Sequence, residues 1–504
     1  MEVVGKKVTT IVALSLLSRS SSFFSPVLSL PFSSSRNTPE MFKDSNGHPP
    51  TTNRDNLFGK ECLLNLRGGT VDIENGNDPN DECVTVDDAF SYRTVQVQVI
   101  HRHGDRTPIT PLKDKEFWAQ QLVPKDLLER VASGTRVLRL GCTDSGKNKL
   151  EVHAAAGRGP FGKLTKLGLL GMVQVGTNLK EDLEESTLWS ERTTASNILS
   201  TTLDRASSSD IFRIRFSPKD IKVYSTNFAR TIQSVQGLLV GFFPDGLSSE
   251  EIDIDCRDTT SWMIPDPQPR QTKEQEDLER QLAQRPHVLK RDLLMRPLAA
   301  RVTKSLRPLL GEEAFQISFG VEDNEDKDKE EYPTLPWIQL TEITKCLSVR
   351  NMLPDSISKD DQETLSAHTA WKWFQSLRAP RLAYLSMRRF TETIGGALQN
   401  WENEPPLIVY SCHDSSLIGL LCALRLNQPS VWPEYGAVLK VELLEKKNEK
   451  GESDAGDDSD VTHVLRFFLN GELLRSMWNG NPRGEIPMEE FVSLISTEVK
   501  DVKI

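Results

Sequence analysis

The chain has 504 residues, a net charge of −11, 26% charged residues and 37% hydrophobic residues. Its length allows a large buried core in roughly two to four domains. The acidic balance excludes general nucleic-acid binding and requires any anion-binding charge to be local. The seven cysteines, Cys62, Cys83, Cys142, Cys256, Cys346, Cys412 and Cys422, form no pair or Cys/His cluster with zinc spacing. No metal and no other cofactor is expected. One or two disulfides remain open, since the count alone does not place the protein in an oxidising compartment.

In chain order, Lys6 and Lys7 precede an apolar run from Val8 to Leu17, and a Ser-rich tract with Arg19 follows to Ser35 and Arg36. The run is too short to span a bilayer. Residues 1–36 are therefore expected to be a targeting segment, a signal peptide for the secretory pathway or export. The Ser/Arg richness leaves a mitochondrial or plastid transit peptide as the alternative. Residues 37–90 are polar and rich in Pro, Asn, Gly and Asp, as in a disordered linker.

Val95, Val97 and Val99 alternate with Gln96 and Gln98, the period of a β-strand, and Ile100 closes the run. Arg102, His103, Gly104, Arg106 and Pro108 follow. Arginine forks match phosphate oxygens in pairs, a neutral imidazole can attack phosphorus, and glycine admits close approach of the backbone. Phe117 to Val131 reads as one helix and residues 132–160 as loop. Thr165 can cap the next helix, which carries Leu169, Met172, Val173 and Leu179. Ile221, Val223 and Tyr224 form a second strand, and a helix is expected from Phe228 to about Val240, carrying Arg230. A strand that ends at a helix N-terminus is a natural anion site.

Residues 250–400 read as a mainly helical cap, with a helix from Glu274 to Arg307 interrupted at Pro286 and Pro297, and an exposed charged loop at 321–331. Met387, Phe390, Ile394, Leu398 and Trp401 follow helical spacing. Leu407 to Tyr410 has the continuous apolar character of a buried central strand. It leads into His413 and Asp414 and a helix from Ser415 to Leu424. Strands at 437–444 and 461–469 flank 445–460, which is expected as a disordered loop. The whole reads as an α/β fold: a central, mostly parallel sheet flanked by helices in a domain spanning 91–504, with the cap inserted. Ligands of such sheets bind beyond the carboxyl ends of the strands, which would bring Arg102, His103, Arg106, Arg230, His413 and Asp414 to one rim.

The pattern Arg102-His103-Gly104-x-Arg106-x-Pro108 resembles the signature of the histidine acid phosphatases, within the histidine phosphatase superfamily. Leu164-Thr165-x-x-Gly168, the segment around Arg230 and the pair His413–Asp414 resemble further family motifs, over roughly Val95 to Asn470. The resemblance implies the histidine phosphatase fold and a metal-independent, two-step hydrolysis of small phosphate monoesters. Arg102, Arg106, Arg230 and His413 would bind phosphate. His103 would form a phosphohistidine, its other ring nitrogen held by a backbone carbonyl. Asp414 would protonate the leaving group and then activate water. The segment around Arg230 and the His-Asp pair are most like lysophosphatidic acid phosphatases, which makes a lysophospholipid the leading substrate.

A phosphosugar or inositol-phosphate phosphatase, a mutase and a catalytically inactive phosphate-binding module are the competing readings. Phytases of the family typically carry His-Ala-Glu where this chain has His413-Asp414-Ser415. Taken singly, Arg230 reads equally as a solvated helix residue and His413–Asp414 as a chance dipeptide. Asp105 is expected to form a salt bridge within its own loop, Cys412 to be a small buried hydrophobe, and His101 to point away from the site.

Overall fold

A computed structural model describes residues 90–139, 159–185, 216–247, 250–256, 263–264, 272–319, 333–448, 461–477 and 482–497. The targeting segment and nearly all of the expected linker, the charged loop at 321–331 and three of the cysteines lie outside them.

The centre is a sheet whose strand order is β2-β4-β3-β5-β1-β7-β8-β9-β6. Its parallel half holds β2 (Thr135–Arg139), β4 (Ile252–Cys256), β3 (Ile221–Ser225), β5 (Leu407–Cys412) and β1 (Phe90–Arg102). Its antiparallel half adds β7 (Val438–Asn448), β8 (Val461–Leu469), β9 (Glu472–Ser476) and β6 (Leu426–Asn427). The sheet is thus mixed, and the parallel half carries the motifs.

Helices cover both faces. On one face lie α3 (Lys166–Glu185) and α4 (Ala229–Phe242), packed on Val97, Val99, Val223 and Val409. The other is covered by α9 (Lys359–Leu377), α10 (Pro380–Gln399), α11 (Asp414–Ala423) and α12 (Met488–Ser496). This double cover explains why every residue of β5 is buried and apolar or hydroxylated. It also changes the meaning of the alternation in β1. Gln96 and Gln98 are fully buried rather than solvated, and their amides donate to the carbonyls of Ala397 and Ile394 in α10. Helices α5 (Lys273–Ala283), α6 (Pro286–Leu306), α7 (Glu312–Phe319) and α8 (Trp337–Ser348) lie between β4 and α9 in sequence. Ala299, Val302 and Leu306 of α6 and Leu340, Ile343 and Leu347 of α8 join a separate core cluster with Leu112, Trp118 and Phe161.

Four sequence expectations change. The helix at 117–131 is two helices, α1 (Lys115–Gln120) and α2 (Lys125–Ala132), because Pro124 starts the second and cannot continue the first. Strands β2 and β4 fall where loop and cap were expected, so the helical block begins only at Lys273. Pro286 does begin a helix, but Pro297 sits inside α6 without ending it. Strand β7 extends to Asn448, into the expected loop, and 449–460 lie outside the described residues.

Candidate active site

Strands β3, β5 and β1 are neighbours in the sheet, and their parallel registers level their carboxyl ends: Ser225 pairs with Ser411, and Arg102 with Cys412. The residues that follow these ends therefore meet. They are His103 to Arg106 after β1, Thr226 to Arg230 after β3, and His413 and Asp414 after β5. Helices α4 and α11 also begin here, so the positive ends of two helix dipoles face the site.

The backbone of the first loop is tightly seated. The His103 amide donates to the Cys412 carbonyl at 3.0 Å and the Gly104 amide to Ser234 Oγ at 3.0 Å. A Cβ on Gly104 would lie 2.4 Å from the Gly168 carbonyl oxygen, and one on Gly168 would lie 2.1 Å from that of Asp105. The two glycines let the start of α3 press against the loop. Thr165 caps α3, accepting from the Gly168 amide at 3.0 Å and donating to Asp105 at 2.5 Å.

Nδ1 of His103 lies 2.8 Å from the carbonyl oxygen of Gly104, its own neighbour. A carbonyl only accepts, so Nδ1 holds the proton and Nε2 carries the lone pair. Burial first, then the charges of Arg230 and Arg102, push the His103 pKa well below its ordinary value. The ring stays neutral and nucleophilic into acid pH. The His413 ring lies 5.5 Å away, edge-on.

Arg102, Arg106 and Arg230 are all buried. Among the described residues, the Nε groups of all three and Nη1 of Arg230 have no hydrogen-bond partner. Each buried, unsatisfied donor costs about 1–3 kcal/mol, more when charged. Burial, then Arg106, lowers the Arg230 pKa to about 9, against the pull of Asp414. Three like charges with idle donors around a neutral imidazole make a cradle for an anion with several oxygens.

Arg230 Nη2 lies 3.4 Å from His413 Nδ1, and His413 Nε2 lies 3.1 Å from Thr226 Oγ1. Guanidinium nitrogens only donate, so His413 accepts from Arg230 and gives its proton to Thr226. Thr226 in turn donates to Thr231 Oγ1 at 2.9 Å. The sequence reading has His413 offering a donor to phosphate. Here both of its nitrogens are engaged, and it steadies Arg230 instead.

Asp414 bonds Arg102 Nη2 at 2.7 Å and accepts from the Ser415 amide at 2.8 Å and the Trp432 indole N–H at 3.2 Å. Burial alone would raise its pKa, but Arg102, Arg106, His413 and the Ser415 amide hold it below the usual carboxylate value. Without a ligand it is a carboxylate.

Helix α8 braces the motif loop from above. Glu342 accepts from Arg106 Nη1 at 2.9 Å, from Thr110 Oγ1 at 3.2 Å and from the Ile109 amide. Arg350, just past the helix, reaches Asp105 at 2.7 Å. Asp105 thus pairs outside its loop, contrary to the sequence expectation. Tyr435 stacks on Arg102, whose guanidinium carbon is 4.1 Å from the ring centre. Sequence reasoning missed Glu342, Arg350, Trp432 and Tyr435, for which no spacing gives a signal. Cys412, the neighbour of His413, is buried with its thiol pKa pushed up to about 12, as an inert thiol should be. The four described cysteines are all free. His101 is buried beneath the loop, its Nδ1 3.1 Å from the Arg102 carbonyl.

Comparison with known proteins fits this geometry. Residues 95–283 match the model of the Histidine phosphatase superfamily (branch 2). A probable acid phosphatase of Dictyostelium discoideum is 20% identical over 436 residues, covering 81% of this chain and 80% of that protein. Among solved structures, Hafnia alvei phytase in complex with myo-inositol hexakis sulphate covers 81% of this chain and 98% of its own, at 12% identity and a TM-score of 0.51. The apo form of that phytase covers 81% and 97%, at 13% identity and a TM-score of 0.50. At such identities the solved structures show the fold alone. The family model spans Arg102, His103, Arg106 and Arg230, and together with the acid phosphatase relative it supports a phosphatase enzyme similar to branch 2 of the histidine phosphatase superfamily.

Proposed function

We propose that this protein hydrolyses phosphate monoesters in two steps through a phosphohistidine at His103, with no metal in either step. The observation that carries the reading is the set of idle donors on Arg102, Arg106 and Arg230 around a His103 whose Nδ1 is fixed to a carbonyl. Bound phosphate oxygens would satisfy those donors and leave phosphorus facing Nε2. In the first step Nε2 bonds to phosphorus, the ester P–O bond breaks, and Asp414 gives its proton to the departing alkoxide. In the second, water attacks phosphorus, Asp414 takes the water proton, and the P–N bond breaks. His103 returns to its starting tautomer. The guanidiniums stabilise charge on the equatorial oxygens throughout.

Lysophosphatidic acid is the specific substrate we propose. Its support is the likeness of the Arg230 segment and the His413–Asp414 pair to lysophosphatidic acid phosphatases. The inositol-phosphate reading keeps one observation in its favour, the fold shared with a phytase.

Turnover of p-nitrophenyl phosphate by the purified protein, followed by alkaline quench, tests the chemistry. Acid-labile phosphate should be found on His103 and be missing in His103→Ala, which should lose nearly all turnover while remaining folded. Full activity in His103→Ala would reject the mechanism.

A further inference from the structure

The cradle has an aromatic ring at each lateral limit. Across the sheet the strands run β3, β5, β1, β7. Phe228 follows β3 and Tyr435 precedes β7, so the two residues bracket the β5 and β1 ends that supply His413 and His103. Phe228 lies edge-on to His413, with ring centres 5.0 Å apart, and 4.7 Å from the guanidinium carbon of Arg230. Tyr435 stacks on Arg102 at 4.1 Å, with its ring centre 5.9 Å from that of His103. Each ring therefore covers one arginine and one histidine of the site.

Stacking uses the face of a guanidinium and leaves its N–H edge directed outward in the plane. The rings hold the arginines without consuming the donors that phosphate needs. Both rings are held in place: the Phe228 amide donates to the Thr226 carbonyl at 2.8 Å, and the amide after Tyr435, that of Gly436, donates to the His103 carbonyl at 3.3 Å. Gly436 has φ +74, which favours glycine at that turn. Both residues are only half-buried, and each ring is within 6 Å of a cradle residue.

The charges nearby point the same way. The two cations that α8 and its C-terminal end bring to this side are paired with carboxylates, Lys345 with Glu434 at 2.5 Å and Arg350 with Asp105 at 2.7 Å. A second phosphate on the substrate would have to displace them. We propose that Phe228 and Tyr435 are specificity-determining residues, selecting phosphate monoesters whose alcohol presents an aromatic ring or hydrocarbon chain over polyols bearing further phosphates. The proposal rests on the phosphomonoesterase reading and deepens it.

The test compares kcat/KM for 1-naphthyl phosphate and decyl phosphate with that for glycerol 3-phosphate and inositol hexakisphosphate. The wild type should favour the apolar pair by about tenfold or more, the discrimination that a modest apolar contact supplies. Phe228→Ala and Tyr435→Ala should each cost about tenfold on the apolar pair and clearly less on glycerol 3-phosphate. Tyr435→Phe, which keeps the ring, should retain the preference. Competitive inhibition by inorganic phosphate reports the cradle separately. Equal losses on both classes would overturn the specificity role, as would a wild type that favours glycerol 3-phosphate or inositol hexakisphosphate. The wild-type series stands even if a variant fails to fold. No turnover of any ester would instead reject the parent reading.

Discussion

Single residues decide the chemistry, and Asp414 is the sharpest case. Arg102 and its other neighbours favour its carboxylate, yet the proposed first step needs its proton. A bound phosphate dianion shifts the balance toward the acid. Since the acid form grows as pH falls, turnover of alkyl phosphates should rise from neutral toward acid pH. His103 does not oppose this, because its own pKa is held far down. Asp414→Asn should slow alkyl phosphates by about 100-fold or more, the usual worth of a general acid. It should slow p-nitrophenyl phosphate far less, since that leaving group departs without a proton. A pH–rate profile on both substrates checks this, and equal losses would remove Asp414 from the acid role. Gly104 gives a second residue-scale expectation. Its Cβ would meet backbone, not a yielding side chain. Gly104→Ala should destabilise the protein by about 1–3 kcal/mol or more, the usual cost of overpacking, and should lower activity with it. Denaturant unfolding measures the first effect.

Among the elements, α8 is the one whose role was least legible. Arg106 and its partner Glu342 are 236 residues apart, and no periodicity joins them. The helix locks the motif loop through two buried ion pairs of opposite sense, Arg106–Glu342 and Asp105–Arg350. Removing one partner of a buried pair costs about 3–5 kcal/mol. Glu342→Gln keeps the shape and an acceptor while freeing Arg106 from its counter-charge. It should tighten inhibition by inorganic phosphate yet lower kcat, because Arg106 loses its fixed position. Unchanged inhibition and unchanged kcat would show the pair to be scaffold only. The strands show why legibility varied. Continuous apolar runs announce a buried strand, so β5 could be read. Strand β2 is a five-residue edge strand that includes Arg136 and Arg139, and such edges are kept short and charged. The Ile252-Asp253-Ile254-Asp255-Cys256 alternation of β4 was there to be read, but it lies beside polar and proline-rich sequence that masked it.

For the molecule as a whole, buried histidines set a pH limit. Burial lowers the His101 pKa from 6.5 to about 4, and His103 and His413 are also held well below 6.5. The unfolded chain therefore takes up protons that the folded one refuses, so stability falls as pH drops below about 6.5. His101 alone would remove about 3 kcal/mol by pH 4. The melting temperature should fall steadily from pH 7 to pH 4.5, and inorganic phosphate should restore part of the loss by binding only the folded site. A flat profile would contradict the neutral, buried state of these rings. The motif residues and the α/β class were readable because each motif sits at a strand end. The pairing across the site was not, because it depends on which strand ends the sheet brings together. Strand β1 begins at Phe90. Removal of residues 1–88 should accordingly leave turnover within about twofold of the full chain, as expected for a segment whose sequence carries no core pattern. An inactive or insoluble truncation would count against a separate leader and linker.

The strand order also governs how the protein can be made. Strand β5 is the last of the parallel strands to leave the ribosome, yet it sits between β1 and β3. Until residues 407–412 emerge, the two earlier strands lack their shared neighbour, and the N–H and C=O groups of the edges facing the gap remain unpaired. Such non-local pairing is slow to form and prone to aggregation on the way. The segment 95–283 that matches the superfamily is therefore no autonomous unit, since it holds the proposed nucleophile but neither the proposed acid nor the central strand. On the proposed mechanism, no activity is expected before β5 and Asp414 have been made.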